Sequence, residues 1–271
     1  VYFFKIRVIK RLKTMKLQFY KYQATGNDFI IFDARKEDLS FTNEQISRLC
    51  DRRFGIGADG IMILKSNDGY DFEMEYHNAD GTMSMCGNGG RSMVKFAHSL
   101  GIHRKTYFFL AIDGEHSATL EEDGWVNLQM KDVHGIHKHH GDFVLNTGSP
   151  HYIKPVTGVD KYDVVGEGKS IRYSDGFAKE GINVNFVEKM GKGIFVRTYE
   201  RGVENETLSC GTGVTAAALV FANNDAGCNR VEVQTLGGHL AIEFEKTGRD
   251  YFENIWLCGP AEQVFTGEVE I

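Results

Sequence analysis

The sequence has little proline, three residues in 271, and its 42% hydrophobic and 25% charged content excludes collagen-like and disordered classes. It lacks paired cysteine spacing: the five cysteines, at 50, 86, 210, 228 and 258, are odd in number and include no CxxC. That excludes a disulfide framework and a thiolate metal site, and reduced thiols in the cytoplasm are the expectation. No stretch approaches the roughly 20 apolar residues of a helical membrane span. A basic surplus is also missing, since the formal net charge is -6, which argues against nucleic acid and for a small-molecule partner. The first fourteen residues, VYFFKIRVIKRLKT, carry five Lys or Arg and no acid. They lack the apolar core and small-residue cleavage site of a signal peptide, so residues 1–14 are expected to be an N-terminal extension preceding a start at Met15.

What is present is pattern. Short apolar or alternating runs bounded by Gly, Asp and Asn recur: FIIFDAR from Phe29, GIMILK from Gly60, FEMEYH from Phe72, WVNLQM from Trp125, INVNFVE from Ile182, IFVRTYE from Ile194 and LAIEFE from Leu240. These predict strands. TNEQISRLCDRRF from Thr42 predicts a helix, with Thr42 and Gln45 spaced as a capping box. The polar stretch KDVHGIHKHHG, Lys131 to Gly141, predicts a linker. The closing CGPAEQVFTGEVEI predicts a strand that returns to the first domain. The division expected is therefore 15–133 with 259–271, and 134–258.

The most informative feature is an internal repeat. FEMEYHNADG, a polar segment, CGNGG and RSMVKFAHSLG are matched by IFVRTYERG, a polar segment, CGTGV and TAAALVFANNDAG, with the cysteines roughly 120 residues apart. Each copy reads strand, turn, Cys-Gly-x-Gly, apolar helix, then a glycine suited to a left-handed C-cap. Two similar domains follow, each presenting one cysteine, Cys86 or Cys210, at a helix N-terminus. There the free N–H groups and the positive end of the helix dipole favour a thiolate, so a lowered thiol pKa is the expectation. The glycines remove Cβ atoms and let N–H groups approach a carboxylate. With the domains face to face, a substrate α-carbon has a sulfur on each side: one takes the α-proton, the other returns a proton to the opposite face. Neither pyridoxal phosphate nor a metal is required.

MCGNGGR at Met85 and SCGTGVTAA at Ser209, together with ATGNDF at Ala24, RRFGIGADG at Arg52, HNADGT at His77, TGSPH at Thr147, INVNF at Ile182 and YERG at Tyr199, resemble the diaminopimelate epimerase family over nearly the whole chain from Met15. The resemblance implies an α+β fold of two pseudo-symmetric domains, each a mostly antiparallel sheet or barrel wrapped on a central helix, with the active site in the cleft between them. It implies a cytoplasmic homodimer that needs no cofactor and converts LL-diaminopimelate to its meso form for lysine and cell-wall synthesis. By position, Cys86 and Cys210 are the acid–base pair, and the amides of Gly87, Asn88, Gly211 and Thr212 hold the reacting carboxylate. Asn27, Asn78, Asn183 and Arg201 hold the substrate, mainly its distal end, where a planar guanidinium suits a carboxylate. His151 and Glu200 stand beside the cysteines, to tune them or bind the substrate's ammonium. The chain departs from the family pattern at Ser149, where many members have Asn, and at Gly60, where some have Gln.

Other residues take plainer readings. Cys50, Cys228 and Cys258 are expected as small core residues; GIGADG at Gly55 is a turn before a strand; His134, His137, His139 and His140 lie in a solvated loop with no metal. Two other functions fit a cysteine pair: a proline or hydroxyproline racemase-type isomerase, which usually has His where this chain has Asn88, and a non-catalytic amino-acid-binding or thiol-sensing protein.

Overall fold

The structure, a computed structural model, describes residues 15–271; the expected extension 1–14 lies outside the described residues. Strands Lys16–Ala24, Asn27–Asp33, Gly60–Lys65, Phe72–Asn78, Tyr107–Ala111, Gly114–Leu120 and Trp125–Gln129 pair in chain order. The pairing is antiparallel except at two parallel joins, the second with the third and the fourth with the fifth. Strands Asp142–Asn146, Pro150–Pro155, Asn183–Met190, Gly193–Glu200, Gly227–Thr235, Gly238–Gly248 and Tyr251–Pro260 repeat this order, parallel at the same two joins. The repeat in the sequence is thus a repeat of topology, and the molecule has two pseudo-symmetric α+β lobes.

Of the four α-helices among the described residues, α1 (Asn43–Cys50) starts at the Thr42–Gln45 capping box read from the sequence. Helices α2 (Gly87–Ser99) and α4 (Gly211–Val220) follow the two cysteines, which are their N-caps, and α3 (Val164–Arg172) lies on the second lobe. In the first lobe Met93, Val94, Phe96 and Ala97 of α2 pack with Phe29, Met62, Phe72, Tyr107 and Leu128 from the surrounding strands. In the second, Val214 and Ala216 to Leu219 of α4 pack with Ile153, Val196, Val231, Ile242 and Leu257. Helix α4 is buried nearly all round, which explains its lack of an amphipathic stripe.

The lobes join through their last strands. Trp125–Gln129 pairs antiparallel with Tyr251–Pro260, Leu128 opposite Leu257, so equivalent strands meet about a local two-fold axis. After this axis the chain crosses back, and Glu262–Glu270 pairs along Lys16–Ala24. The equivalent crossing after the first lobe occupies the stretch expected as a linker. Val133–His134 and His137–His139 are short strands there, paired with Tyr251–Phe252 and with Asp142–Val144. Backbone pairing orders a segment whose polar side chains gave no strand signal. Gly101, at φ +89°, follows the α2 cap as expected, but Gly227 opens a strand beyond the end of α4. Cys50 and Cys258 are buried, whereas Cys228 is exposed, because the alternation of Gly227–Thr235 turns it away from the Val231 and Val233 side.

Leu257 is fully buried, and a Cβ on either Gly87 or Gly211 would stand 3.0 Å from its Cδ2. Leu257→Ala removes the side chain on which both helix N-termini rest. It is expected to lower unfolding stability in urea by about 2–5 kcal/mol; a loss under about 1 kcal/mol would show that the junction is not packed as described.

Candidate active site

The two Cys-Gly-x-Gly motifs meet at the local two-fold axis. A Cβ on Gly211 would lie 3.7 Å from Gly87 Cα and 3.6 Å from Asn88 Oδ1. The helix N-termini therefore come within van der Waals reach of one another, with Leu257 packed tightly against both glycines, and the cysteine preceding each glycine sits beside the same junction. Cys86 is partly buried and Cys210 buried; both are free thiols. The Gly89 N–H donates to Cys86 Sγ at 3.4 Å, whereas the Cys210 side chain makes no capping hydrogen bond. A Cβ at Gly213 would fall 2.3 Å from Asn185 Oδ1 and 3.3 Å from His151, so this glycine is needed for close packing behind the sulfur.

The environment corrects one expectation. Burial pushes the Cys86 thiol up to about 11, against the Gly89 N–H and with the Glu200 carboxylate adding to the rise. Cys210 is likewise pushed up by burial and by Glu200, against Thr212 and Gly213. The helix N-terminus does favour a thiolate, but desolvation of the charged form outweighs it. Burial also raises the Glu200 carboxyl, which accepts from Thr207 Oγ1 at 2.8 Å, and lowers His151 to about 3, so its imidazole is neutral at physiological pH.

The other expected residues fall in two groups. Asn27 Oδ1 accepts from Cys86 Sγ at 3.4 Å and from Asn88 Nδ2 at 3.3 Å. Asn88 Nδ2 also donates across the lobes to the Ser209 carbonyl at 3.1 Å. Thr212 Oγ1 lies 3.6 Å from Cys210 Sγ, 2.9 Å from His151 Nε2 and 3.2 Å from Ser149 Oγ. These residues, with Gly87 and Gly211, cluster at the sulfurs. Asn78, Asn183, Glu200 and Arg201 make no hydrogen bond to either sulfur, though Asn183 reaches the cluster through Ser149 and Glu200 acts on both thiols by its charge. Asn78 Nδ2 donates to Thr82 and Ser84. Asn183 donates to Ser149 Oγ at 3.1 Å and the Pro150 carbonyl at 3.2 Å, and its Oδ1 accepts from the Arg201 N–H at 2.9 Å. The exposed Arg201 donates through Nη1 to the Glu180 carbonyl at 3.1 Å.

Sequence reasoning missed a supporting layer. Asp59 Oδ2 accepts from Asn27 Nδ2 at 2.6 Å. Arg52 bridges Asp59 to Asp28 at 2.8 and 2.6 Å, and the buried Lys21 pairs with Asp28 at 2.7 Å. Burial pushes the Asp28 carboxyl up, but Arg52 and Lys21 prevail and hold it at about 2. Asn185 Nδ2 stands 3.1 Å from His151 Nδ1. Arg91 is fully buried, donates to Asn88 Oδ1 at 3.1 Å and to Thr25 Oγ1 at 3.4 Å, and is pushed down to about 10 by burial. No salt bridge to Arg91 is found among the described residues. One signal was available: Thr25-Gly26-Asn27 and Thr147-Gly148-Ser149 repeat one another, each with its glycine at positive φ and each ahead of a strand whose next neighbour is parallel.

The diaminopimelate epimerase family model matches residues 19–134 and 143–264. The chain belongs to the diaminopimelate epimerase family. It is 47% identical over 253 residues to the diaminopimelate epimerase of Flavobacterium psychrophilum, covering 92% of this chain and 98% of the relative. With that of Chlorobaculum tepidum the identity is 40% over 258 residues, covering 91% and 98%. Among solved structures, a phenazine biosynthesis protein of the PhzF family from Bacillus anthracis shares the fold, with a TM-score of 0.72 at 17% identity and coverage of 95% and 100%. A hydroxyproline epimerase from Agrobacterium vitis does so with a TM-score of 0.64 at 11% identity, covering 94% and 93%. The expected two-domain fold and isomerase family thus both hold.

With both thiols raised, little Cys86 is ionised in the free protein at neutral pH. Iodoacetamide labelling followed peptide by peptide is expected to reach the exposed Cys228 first at pH 7.5 (roughly neutral, where only thiolate reacts), and Cys86 only as the pH climbs toward about 11. Labelling of Cys86 as fast as Cys228 at neutral pH would contradict the burial argument.

Proposed function

We propose that this protein interconverts LL- and meso-2,6-diaminopimelate without a cofactor, with Cys86 and Cys210 as the two acid–base groups. The observation that carries this reading is the contact of Gly87 with Gly211, which brings two cysteine-capped helix N-termini to one point. One sulfur, as thiolate, takes the α-hydrogen as a proton. The electron pair left on the α-carbon is delocalised into the adjacent carboxylate. The opposite thiol then gives its proton to the other face, leaving a thiolate there and an inverted centre. The amides of Gly87, Asn88, Gly211 and Thr212 bind the carboxylate whose charge grows during this step, where preorganised donors are most effective.

Asn27, Asn78, Asn183 and Arg201 are assigned to the substrate, Arg201 to the distal carboxylate, supported by its exposed guanidinium. Glu200, raised by burial, is assigned to the substrate ammonium. That cation offsets the carboxylate charge and the desolvation that keep both thiols protonated, so binding itself favours ionisation. The family resemblance extends the reading to lysine and peptidoglycan precursor synthesis in the cytoplasm. No helix among the described residues is long and apolar enough to cross a membrane. We assign residues 15–133 with 259–271 to one domain and 134–258 to the other, supported by the pairing of Glu262–Glu270 with Lys16–Ala24. The active form proposed is a homodimer.

In heavy water the purified protein is expected to exchange the substrate α-hydrogen and interconvert the two isomers with no addition. Cys86→Ala and Cys210→Ala should each lower kcat/KM by at least about 10²–10⁴-fold. Full activity in both variants sinks the two-sulfur scheme, and turnover of proline or hydroxyproline in place of diaminopimelate moves the substrate to the racemase-type reading. Sedimentation should give the mass of two 30.5 kDa chains; a monomer that remains active would refute the dimer.

A further inference from the structure

Both sulfurs stand at a helix N-cap, but their partners do not match: Cys86 accepts the Gly89 N–H, Cys210 makes no capping hydrogen bond, and the side chains around them differ. At equivalent positions of the repeat, Asn27 with Asn88 behind it faces Cys86, whereas Thr212 with Ser149 behind it faces Cys210, and Phe29 of the first lobe is replaced by His151 in the second. Fixed donors and acceptors behind these residues determine which way each hydrogen bond runs.

On the first side, Asp59 is ion-paired with Arg52 and its carboxylate only accepts, so the Asn27 NH₂ faces it at 2.6 Å. The Asn27 oxygen is thereby turned to Cys86, whose S–H donates to it at 3.4 Å. Asn88 reinforces this orientation. Its NH₂ faces the Ser209 carbonyl, its oxygen faces the Arg91 guanidinium, and the NH₂ also donates to Asn27 Oδ1.

On the second side, Asn185 accepts from Thr198 Oγ1 at 2.9 Å and donates to the Tyr152 carbonyl at 3.1 Å, which directs its NH₂ to His151 Nδ1. His151 is neutral, so with Nδ1 accepting, the ring proton is on Nε2 and is given to the Thr212 oxygen at 2.9 Å. The same N–H also faces Ser149 Oγ at 3.0 Å, and that oxygen accepts from Asn183 Nδ2 at 3.1 Å, so the acceptor remaining for the Ser149 proton is Thr212 Oγ1 at 3.2 Å. Accepting from His151 and Ser149, Thr212 has its own proton left for Cys210 Sγ, 3.6 Å away.

We propose that the side chains around the two sulfurs have opposite hydrogen-bond polarity, an acceptor on Cys86 and a donor on Cys210, and that Asp59 and His151 are the positioning residues that fix it. This deepens the epimerase reading and rests on it. An acceptor stabilises a thiol and a donor stabilises a thiolate. Cys210 is the more deeply buried sulfur, so desolvation alone leaves it the weaker acid. The two opposite contacts act against that difference and draw the sulfurs toward equal acidity. A reversible two-sided exchange requires such matching, because each sulfur is base in one direction and acid in the other.

The test is peptide-resolved iodoacetamide labelling against pH, which reads each sulfur without turnover and so fails or succeeds independently of the epimerase assignment. Asn27→Ala, an uncharged loss, is expected to lower the labelling midpoint of Cys86 by about one pH unit, a tenfold change in thiolate fraction. Asp59→Asn, which frees the Asn27 amide to turn, should lower it too and leave Cys210 in place. Thr212→Val is expected to raise the midpoint of Cys210 by a similar amount. His151→Phe, the residue of the equivalent first-lobe position, should raise it in the same sense, and Thr212→Ser should hold the wild-type value. A kcat decrease in both reaction directions with little change in KM should accompany the shifts at Thr212→Val. Shifts of the same sign at the two sulfurs, or none, overturn the proposal, as does a Thr212→Ser variant that behaves like Thr212→Val.

Discussion

The approach of Gly87 to Gly211 constrains the rest of the molecule. The two helix N-termini meet at residues without side chains, and both rest on one support, the Leu257 side chain, which a Cβ on either glycine would crowd at 3.0 Å. Leu257 lies in the strand that pairs with Trp125–Gln129, so the contact between helices and the contact between sheets are a single junction. A twofold arrangement of this kind needs two copies of one topology with the same order of parallel and antiparallel joins, which the strand pairing supplies. Burial of α2 and α4 by their own sheets then fixes the direction from which each cysteine enters the junction.

This closeness has an electrostatic consequence. Free N–H groups at a helix N-terminus are usually argued to make a cysteine acidic, and both motifs offer such groups. Yet burial at the junction also removes much of the water that would solvate a thiolate. Desolvation wins at both sites, and the Glu200 carboxylate adds to it. In the free protein, then, both sulfurs are held as thiols, not as resting thiolates.

The topology and the sulfur pair were legible in the sequence because they are written in strong local signals. Alternation along FEMEYH and IFVRTYE, the capping box at Thr42, and two Cys-Gly-x-Gly motifs at matching positions each have a direct physical meaning. The segment Lys131–Gly141 was not legible, because its strands exist through backbone pairing with Phe252 and Val144 and its polar side chains record nothing of that. Cys228 was misread for the opposite reason: its exposure follows from the phase of one strand, and a phase error of one residue exchanges inside for outside. The supporting residues Asp59, Asn185 and Arg91 were invisible because a buried polar group identifies itself only through partners distant in sequence, such as Asn27 for Asp59 or His151 for Asn185.

A repeated fold poses a problem for an asymmetric substrate. Strict symmetry would give the two sulfurs identical surroundings, whereas one lies deeper than the other and an amino acid presents different groups to its two faces. The chain keeps symmetry where geometry requires it, in the glycines and the helix starts, and abandons it one layer out. Phe29 is an apolar core residue packed in the first lobe, while its counterpart His151 carries a hydrogen-bond chain from Asn185 to Thr212. The same division is seen between Asn78 and Glu200, which end equivalent strands: one is an amide tied to its own turn, the other a half-buried carboxyl raised by desolvation. Backbone repetition therefore sets where the two cysteines stand, and side-chain divergence behind them gives each sulfur its own hydrogen-bond partners.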